Sequence, residues 1–293
     1  MKINAAKKYA AVLHKLRKAR DVFWLAVFVS GMAFIFVWNL FFLNGEAFSD
    51  WLGAVFYTYS VAFAAAAIAF FVAWRIALFY ETAKSAGKTE TIFAIGLLLD
   101  ALKSLPQIIV LLLGYSVMIF YLKNSGVAQF VWLAFVLALA FVNDVFEEMR
   151  SRVEFFRKSD FYDAMLVAGV KEKRIINRDI LARNSLAHLT NRAIIIFSSS
   201  VFLLCSVDFI ISVGLSSQLS LSGLPKTLGN ILANAASKED ILAVRELFAN
   251  PLYLKEIFTT HLQGVSAGLT LVFTLVSAFK ISNGLIERKK LNR

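Results

Sequence analysis

The chain predicts an all-α membrane protein with six transmembrane helices, and three observations carry that expectation. Of its 293 residues, 59% are apolar and only 17% charged, against roughly 45–50% and about 25% in ordinary soluble domains. A soluble globule has too little interior to hide so much apolar surface. The apolar residues also gather into long charge-free runs, as a hydrocarbon core about 30 Å thick requires of a helix of around 20 residues. No run alternates with the two-residue period of a barrel strand. The 28 Phe and a mean hydropathy of +0.68 exclude a disordered chain. One Cys, Cys205, excludes an intrachain disulfide, and His14, His188 and His261 are too scattered for a His/Cys metal cluster.

The six spans follow in order. Val22–Leu43 is 22 residues without a charge and Trp51–Trp74 is 24. Ser104–Leu122 is 19, extending backwards to Thr91 through Asp100 and Lys103. Gly126–Asn143 and Leu262–Phe279 give 18 each, and Ala193–Leu215 is interrupted only by Asp208. The first span is too long for a secretory signal core and runs into Phe41-Phe42-Leu43 with no small-residue cleavage site. An uncleaved first helix behind a basic surface segment is therefore expected. The domain organisation reads as a basic segment at 1–21, a membrane domain at 22–286 and a basic tail at 287–293. Within the membrane domain lie a charged loop at 147–192 and an outer loop at 216–261. The outer loop contains an amphipathic piece, Lys238–Ala249, expected to form a small helical cap.

Charge sets the orientation. Of 31 Lys and Arg, 25 fall before the first span, between the second and third, within 147–192, or after the last. Positive residues stay on the cytoplasmic side, so both termini and the long loop are expected there. The +11 net charge then reports topology and not a nucleic-acid footprint.

Few motifs suggest chemistry. Ala86-Gly87-Lys88-Thr89 imitates the end of a phosphate-binding loop, but Thr82 stands where the first Gly is required and no strand precedes it. A polar turn is the expectation. No nucleophile, base and orienting group can be assembled, so no catalysis is expected of this chain. Asp100 and Lys103 share a helical face and could form an interfacial ion pair. Asp208 lies deep in the fifth span, where a carboxylate requires a partner helix or a water-filled cavity. It reads equally as pathway lining or as a structural polar contact. Pro106 should kink or break the third span, and broken helices often line translocation paths. Tyr57 and Tyr59, with Phe56, are candidates for the wall of such a path, with packing as the alternative role.

The loop at 147–192 is the most informative segment. In Ser159–Val170, Phe161, Met165, Leu166 and Val167 interleave with Asp160 and Asp163, and Gly169 breaks the pattern. A second run, Lys171–Leu186, puts Ile175, Ile176, Ile180 and Leu181 toward one side. Two short helices joined at a Gly are predicted to lie against the membrane surface and to offer a docking face to a cytosolic partner.

At this loop the sequence resembles the integral membrane subunits of bacterial ABC importers, whose signature is Glu-Ala-Ala, three residues, Gly, ten residues, then Ile-Leu-Pro in the peptide-importer version. Here it reads Asp163-Ala164-Met165, Leu166-Val167-Ala168, Gly169, ten residues, then Ile180-Leu181-Ala182, without a gap. Asp163, Met165 and Ala182 depart from the usual Glu, Ala and Pro. Arg174-Ile175-Ile176 and Arg178 also resemble the dipeptide/oligopeptide group, as does Leu98-Leu99-Asp100-Ala101-Leu102-Lys103-Ser104-Leu105-Pro106. Leu228-Gly229-Asn230-Ile231-Leu232-Ala233 is similar to that group's outer-loop pattern, and Asn283-Gly284-Leu285 to its ending. The motif that normally follows the first span is not visible, with Phe48-Ser49-Asp50-Trp51 at most its remnant.

The resemblance implies a type I importer-like permease forming half of a translocation pathway for peptides or a similar small solute. Asp160–Ala168 would be the coupling helix, and Asp160, Asp163, Ala164, Met165, Gly169, Ile180 and Leu181 would form the ATPase-docking set. In that set Asp163 supplies a polar contact, Ala164 allows close approach and Gly169 makes the turn. The implied partners are a second, non-identical permease, two cytosolic ATPases, an extracytoplasmic solute-binding protein and membrane lipids, with no nucleic acid. ATP and Mg would be bound in the partner subunits, with no cofactor on this chain, and the location would be the bacterial inner membrane. Nickel or an oligosaccharide are alternative cargoes, and a scaffold or channel subunit working without ATP is an alternative class.

Overall fold

A computed structural model describes residues 19–122, 125–214, 225–233, 245–246, 248–253 and 262–291. Most of the basic N-terminal segment and most of Lys238–Ala249 lie outside the described residues. Among the described residues every regular element is helical. The long helices are α1 (Arg20–Phe42), α2 (Gly45–Ser85), α3 (Thr89–Ser104), α4 (Gln107–Tyr121) and α5 (Gly126–Arg157). The short α6 (Asp160–Val167) follows, then a single turn at Glu172–Arg174 and a π-helix at Ile175–Asn184. The chain continues through α7 (Leu186–Gly214), the short α8 (Leu228–Ala233) and α9 (Leu262–Leu291). Five of these helices are long and apolar enough to cross a membrane, or six spans if α3 and α4 count as one.

The third apolar stretch is broken, as Pro106 predicts. Leu105 is extended (φ −87°, ψ 126°), the conformation a following proline imposes. Pro106 then caps α4, where the missing N–H costs nothing, and the axes turn through 86°. Asp100 and Lys103 are both exposed on α3, and no ion pair joins them. The Ala86-Gly87-Lys88-Thr89 segment is the end of α2: Gly87 has φ +68°, its N–H reaches Lys84 O, and the Lys88 N–H reaches Ala83 O. That pairing is a Schellman cap, not a phosphate cradle.

Two compact units are present, 1–60 with 201–293 and 61–200. In the first, α1 runs antiparallel to α9. Phe28 stacks on Phe273 at 6.1 Å, Ser266 donates to Asn39 Oδ1 at 2.6 Å, and Arg20 and Arg288 pair with Glu287 and Asp21 at 2.8 and 2.9 Å. Gly284 allows the two helices to touch, since a Cβ there would stand 2.6 Å from the Asp21 backbone N. Along α9, Ser266, Thr270 and Thr274 recur every four residues and form a buried hydroxyl stripe. Thr270 and Thr274 each donate to the carbonyl one turn back at 2.7 Å. Trp51 Nε1 donates to Thr270 at 3.3 Å, and the Tyr59 hydroxyl bonds Thr274. Small and hydroxyl residues let apolar helices approach closely where the hydrophobic effect cannot drive them together.

In the second unit, α2 contributes Ala65, Ala69, Ala73 and Ala77, all fully buried at four-residue spacing. α4 and α5 form an antiparallel pair. Trp132 Nε1 donates to Gly114 O at 2.8 Å, Gln107 Nε2 donates to Ala140 O at 3.1 Å, and Val136 fills the space over Gly114. Arg192 pairs with Asp144 at 3.1 Å.

Gly284→Ala should force α1 and α9 apart and cost about 1–3 kcal/mol, the usual range for overpacking. Gly53→Ala, with nothing within 4 Å of its added Cβ, should be neutral or stabilising by up to about 1 kcal/mol. Thermal unfolding in detergent checks both; a melting point for Gly284→Ala equal to the parent would refute the close contact.

Candidate functional site

The loop between α5 and α7 is built from local signals. Ser159 adopts an extended N-cap conformation (φ −108°, ψ 146°), and its carbonyl accepts from the Tyr162 N–H at 2.9 Å. Asp160 and Asp163 fall in the first turn of α6, where carboxylates oppose the helix dipole. The helix ends in a complete Schellman motif: Gly169 N–H to Leu166 O at 2.9 Å and Val170 N–H to Met165 O at 3.1 Å. Gly169 takes φ +76°, a left-handed conformation costly to residues with a Cβ. Structure and sequence agree on this short helix and on the turn that ends it.

A clasp of charged and hydroxyl groups fixes the loop. Arg157, the last residue of α5, pairs with Glu81 of α2 at 3.0 Å and with Glu172 at 2.8 Å. It also donates to Ser85 Oγ at 3.0 Å. Glu172 Oε1 accepts from Ser85 at 2.5 Å and from the Tyr162 hydroxyl at 2.5 Å. The Arg157 guanidinium stands 6.0 Å over the Tyr162 ring, within cation–π range. Tyr162 is the one buried residue of α6, so the helix hangs from its own tyrosine. Burial pushes the Tyr162 hydroxyl up to about 12, helped by its hydrogen bond to Glu172 and that group's charge. For Glu172, burial favours the neutral acid, but the Ser85 and Tyr162 hydrogen bonds and the Arg157 charge outweigh it. The net shift is below the ordinary carboxyl value.

The rest of α6 faces outward. Asp160, Asp163 and Ala164 are exposed, Met165 is half-buried, and Gly169 is exposed at the turn. Phe161, Leu166 and Val167 add exposed apolar surface, Val167 at 89%. Ile180 and Leu181, expected in the same docking set, are buried where most of the first-arm residues are exposed. Both are 0% exposed, as are Ile175 and Ile176, so their side chains pack the unit. The second arm is also not an α-helix. On an α-helix residues five apart sit about 140° from each other, which would scatter Ile175 with Ile180 and Ile176 with Leu181. The π-helix bonds each residue to the fifth before it, as in Ser185 N–H to Ile180 O at 2.8 Å. That stacks each pair on one face.

The other expected site residues fall elsewhere. Asp208, 6% exposed, accepts a hydrogen bond from the Thr227 hydroxyl, which in turn accepts from the Asn230 N–H at 3.1 Å. Thr58 Oγ1 accepts from the Leu228 N–H at 3.1 Å, and Asn230 donates to Ser212 at 3.1 Å. Gly229 meets the Cys205 backbone so closely that a Cβ would stand 2.3 Å from its carbonyl oxygen. Asp208 thus sits where α8 meets α7, and Tyr57 stands next to Thr58 in α2. Tyr59 bonds Thr274. Pro106 lies in the other unit, at the break between α3 and α4. Sequence reasoning missed Glu81, Ser85, Arg157, Tyr162 and Glu172. Arg157 and Glu81 are 76 residues apart, and neither carries a local pattern that announces the other.

Arg157→Met should leave the Glu81 carboxylate, 2% exposed, buried without its partner, at a cost of about 3 kcal/mol. The double variant with Glu81→Gln should recover part of that loss in thermal unfolding. Glu172, with its lowered pKa, stabilises the loop above the unfolded value of 4.5, and this is lost as pH falls through the folded value. Tyr162, with its raised pKa, contributes fully below 10.0 and loses its contribution as pH rises toward about 12. Amide exchange across 160–170 should therefore be slowest between about pH 4.5 and 10 after correction for intrinsic rates. A flat corrected profile would contradict the clasp.

No known protein family matches the chain, and no curated protein matches it.

Proposed function

We propose that this chain is the membrane permease subunit of an ATP-driven importer, carrying peptides or a similar small solute across a bacterial inner membrane. The observation that carries this reading is α6. It is a short helix with an exposed mixed face of Asp160, Asp163, Ala164, Leu166 and Val167, closed by the left-handed Gly169 and clasped through Arg157 and Glu172 to the ends of two long helices. A displacement of α6 would be passed to α2 and α5 as a rigid movement, because the charged contacts leave little slack. Cytosolic ATPase subunits would receive α6 in a groove, and their closure on ATP would shift the permease between inward- and outward-open states.

The gapless signature from Asp163 to Leu181 supports the same reading, with Ile180 and Leu181 serving as the buried base that holds the second arm. The Lys and Arg distribution supports a cytoplasmic loop and cytoplasmic termini. A second permease subunit and an external binding protein complete the proposed assembly. ATP hydrolysis belongs to the partner chains.

Purification of the tagged protein in mild detergent should bring down ATPase subunits with the parent chain. Gly169→Pro, which cannot adopt φ +76°, and Asp163→Arg should both reduce that recovery at least about tenfold, equivalent to about 1.4 kcal/mol. Absence of any ATPase under conditions that preserve other membrane complexes would overturn the importer reading in favour of a scaffold or channel subunit.

A further inference from the structure

The π-helix does more than bury four aliphatic side chains. Arg174 at its leading end, Arg178 and Arg183 are separated by four and five residues, and all three are exposed. On an α-helix Arg174 and Arg183, nine residues apart, would stand about 180° from each other. In the π-helix a turn holds between four and five residues, so the same spacings form one row. That row lies across the helix from Ile175, Ile176, Ile180 and Leu181. None of the three guanidinium groups makes an ion pair among the described residues, whereas Arg157 and Arg192 on the same unit are paired with carboxylates. The one carboxylate on the π-helix, Asp179, is half-buried beside the row and pairs with none of them. Lys171 and Lys173, also exposed, extend the positive surface toward Gly169.

Position in the chain says what this row meets. Arg183 precedes the first residue of α7 by three positions, and α7 is among the helices apolar enough to cross a membrane. Asn177 on the same helix accepts from Trp74 Nε1 at 2.8 Å, and Trp74 closes the charge-free run of α2, which puts the row near headgroup depth, where the anionic lipids of the inner leaflet concentrate negative charge. Planar guanidinium groups are suited to bidentate phosphate contact. We propose that Arg174, Arg178 and Arg183 form a binding row for the phosphate groups of anionic phospholipid, anchoring the second arm of the loop to the bilayer surface. This goes beyond the importer reading and stands or falls separately from it, since no ATPase takes part.

Native mass spectrometry of the full chain, from neutral detergent with equimolar phosphatidylglycerol and phosphatidylcholine, tests the row. The parent should retain phosphatidylglycerol preferentially. Replacing Arg174, Arg178 and Arg183 together by Gln should cut that preference at least about threefold. The triple replacement of Lys84, Lys88 and Lys158 by Gln removes the same charge elsewhere and should leave the preference intact. If the arginine variant fails to fold, Arg178→Gln alone gives the same readout. Equal retention by the arginine variant would overturn the proposal, as would an equal loss in the lysine variant. Displacement of the lipid by inorganic phosphate would make this a free-anion site. Binding of an acidic peptide to the row without any lipid preference would assign the surface to a protein partner instead. Either of those two results would also overturn it.

Discussion

Every buried N–H and C=O in an apolar environment needs a partner, because hydrocarbon offers none and an unmet group costs several kcal/mol. The architecture follows from that constraint. Helices satisfy their own backbones internally, so the long apolar stretches among the described residues are helical, and the interesting chemistry collects where helices stop. At Gly87 and Gly169 the last carbonyls are met by the chain folding back through a left-handed glycine. At α8 the first N–H groups are met by Thr58 and Thr227, and the Thr227 hydroxyl is in turn held by Asp208. Along α9 the hydroxyls of Thr270 and Thr274 return to carbonyls of their own helix. Each polar side chain in these places has a backbone reason to be there.

Length supplies a second constraint. α2 has 41 residues and extends about 60 Å at 1.5 Å per residue, about twice the thickness of a hydrocarbon core. Its far end carries Glu81 and Ser85, and α5 runs on to Arg157. Two rods that project beyond their apolar stretches thus bring charges together over the loop. Tyr80 packs edge-on against Phe146 at 5.4 Å, and Arg150 lies 5.2 Å over the Tyr80 ring, so aromatic contacts brace the rods just below the clasp. The loop is positioned by the rigidity of what it hangs from.

The spans were legible in the sequence because a charge-free run of 18 or more residues admits few physical explanations. Their ends were not. The expected second span stops at Trp74 and the helix continues to Ser85; the expected fourth stops at Asn143 and the helix continues to Arg157. Helical residues beyond the apolar stretch carry no hydropathy signal. Pro106 announced its break, and Gly169 announced its turn. Ile175, Ile176, Ile180 and Leu181 read as one side of a helix, and all four are buried, but the π-helix that gathers their five-residue repeat has no hydropathy signal of its own. The clasp was invisible because Arg157 meets Glu81 across 76 residues and Glu172 across 15, with no periodicity to link them. Asp208 was legible as a buried carboxylate needing company, but Thr227 could not be named as that company.

The corner at Pro106 also governs the parity of the whole chain. α3 has 16 residues and α4 has 15, about 24 and 22 Å of helix, so neither alone covers a hydrocarbon core about 30 Å thick. Counted as one crossing, the bent pair makes the number of passages even and returns the two lysine- and arginine-rich ends of the chain to a common face. Counted as none, it leaves the number odd and puts those ends on opposite faces, against the bias that sorts positive charge. The sidedness of everything after residue 106 therefore turns on whether these two half-length helices complete one passage together.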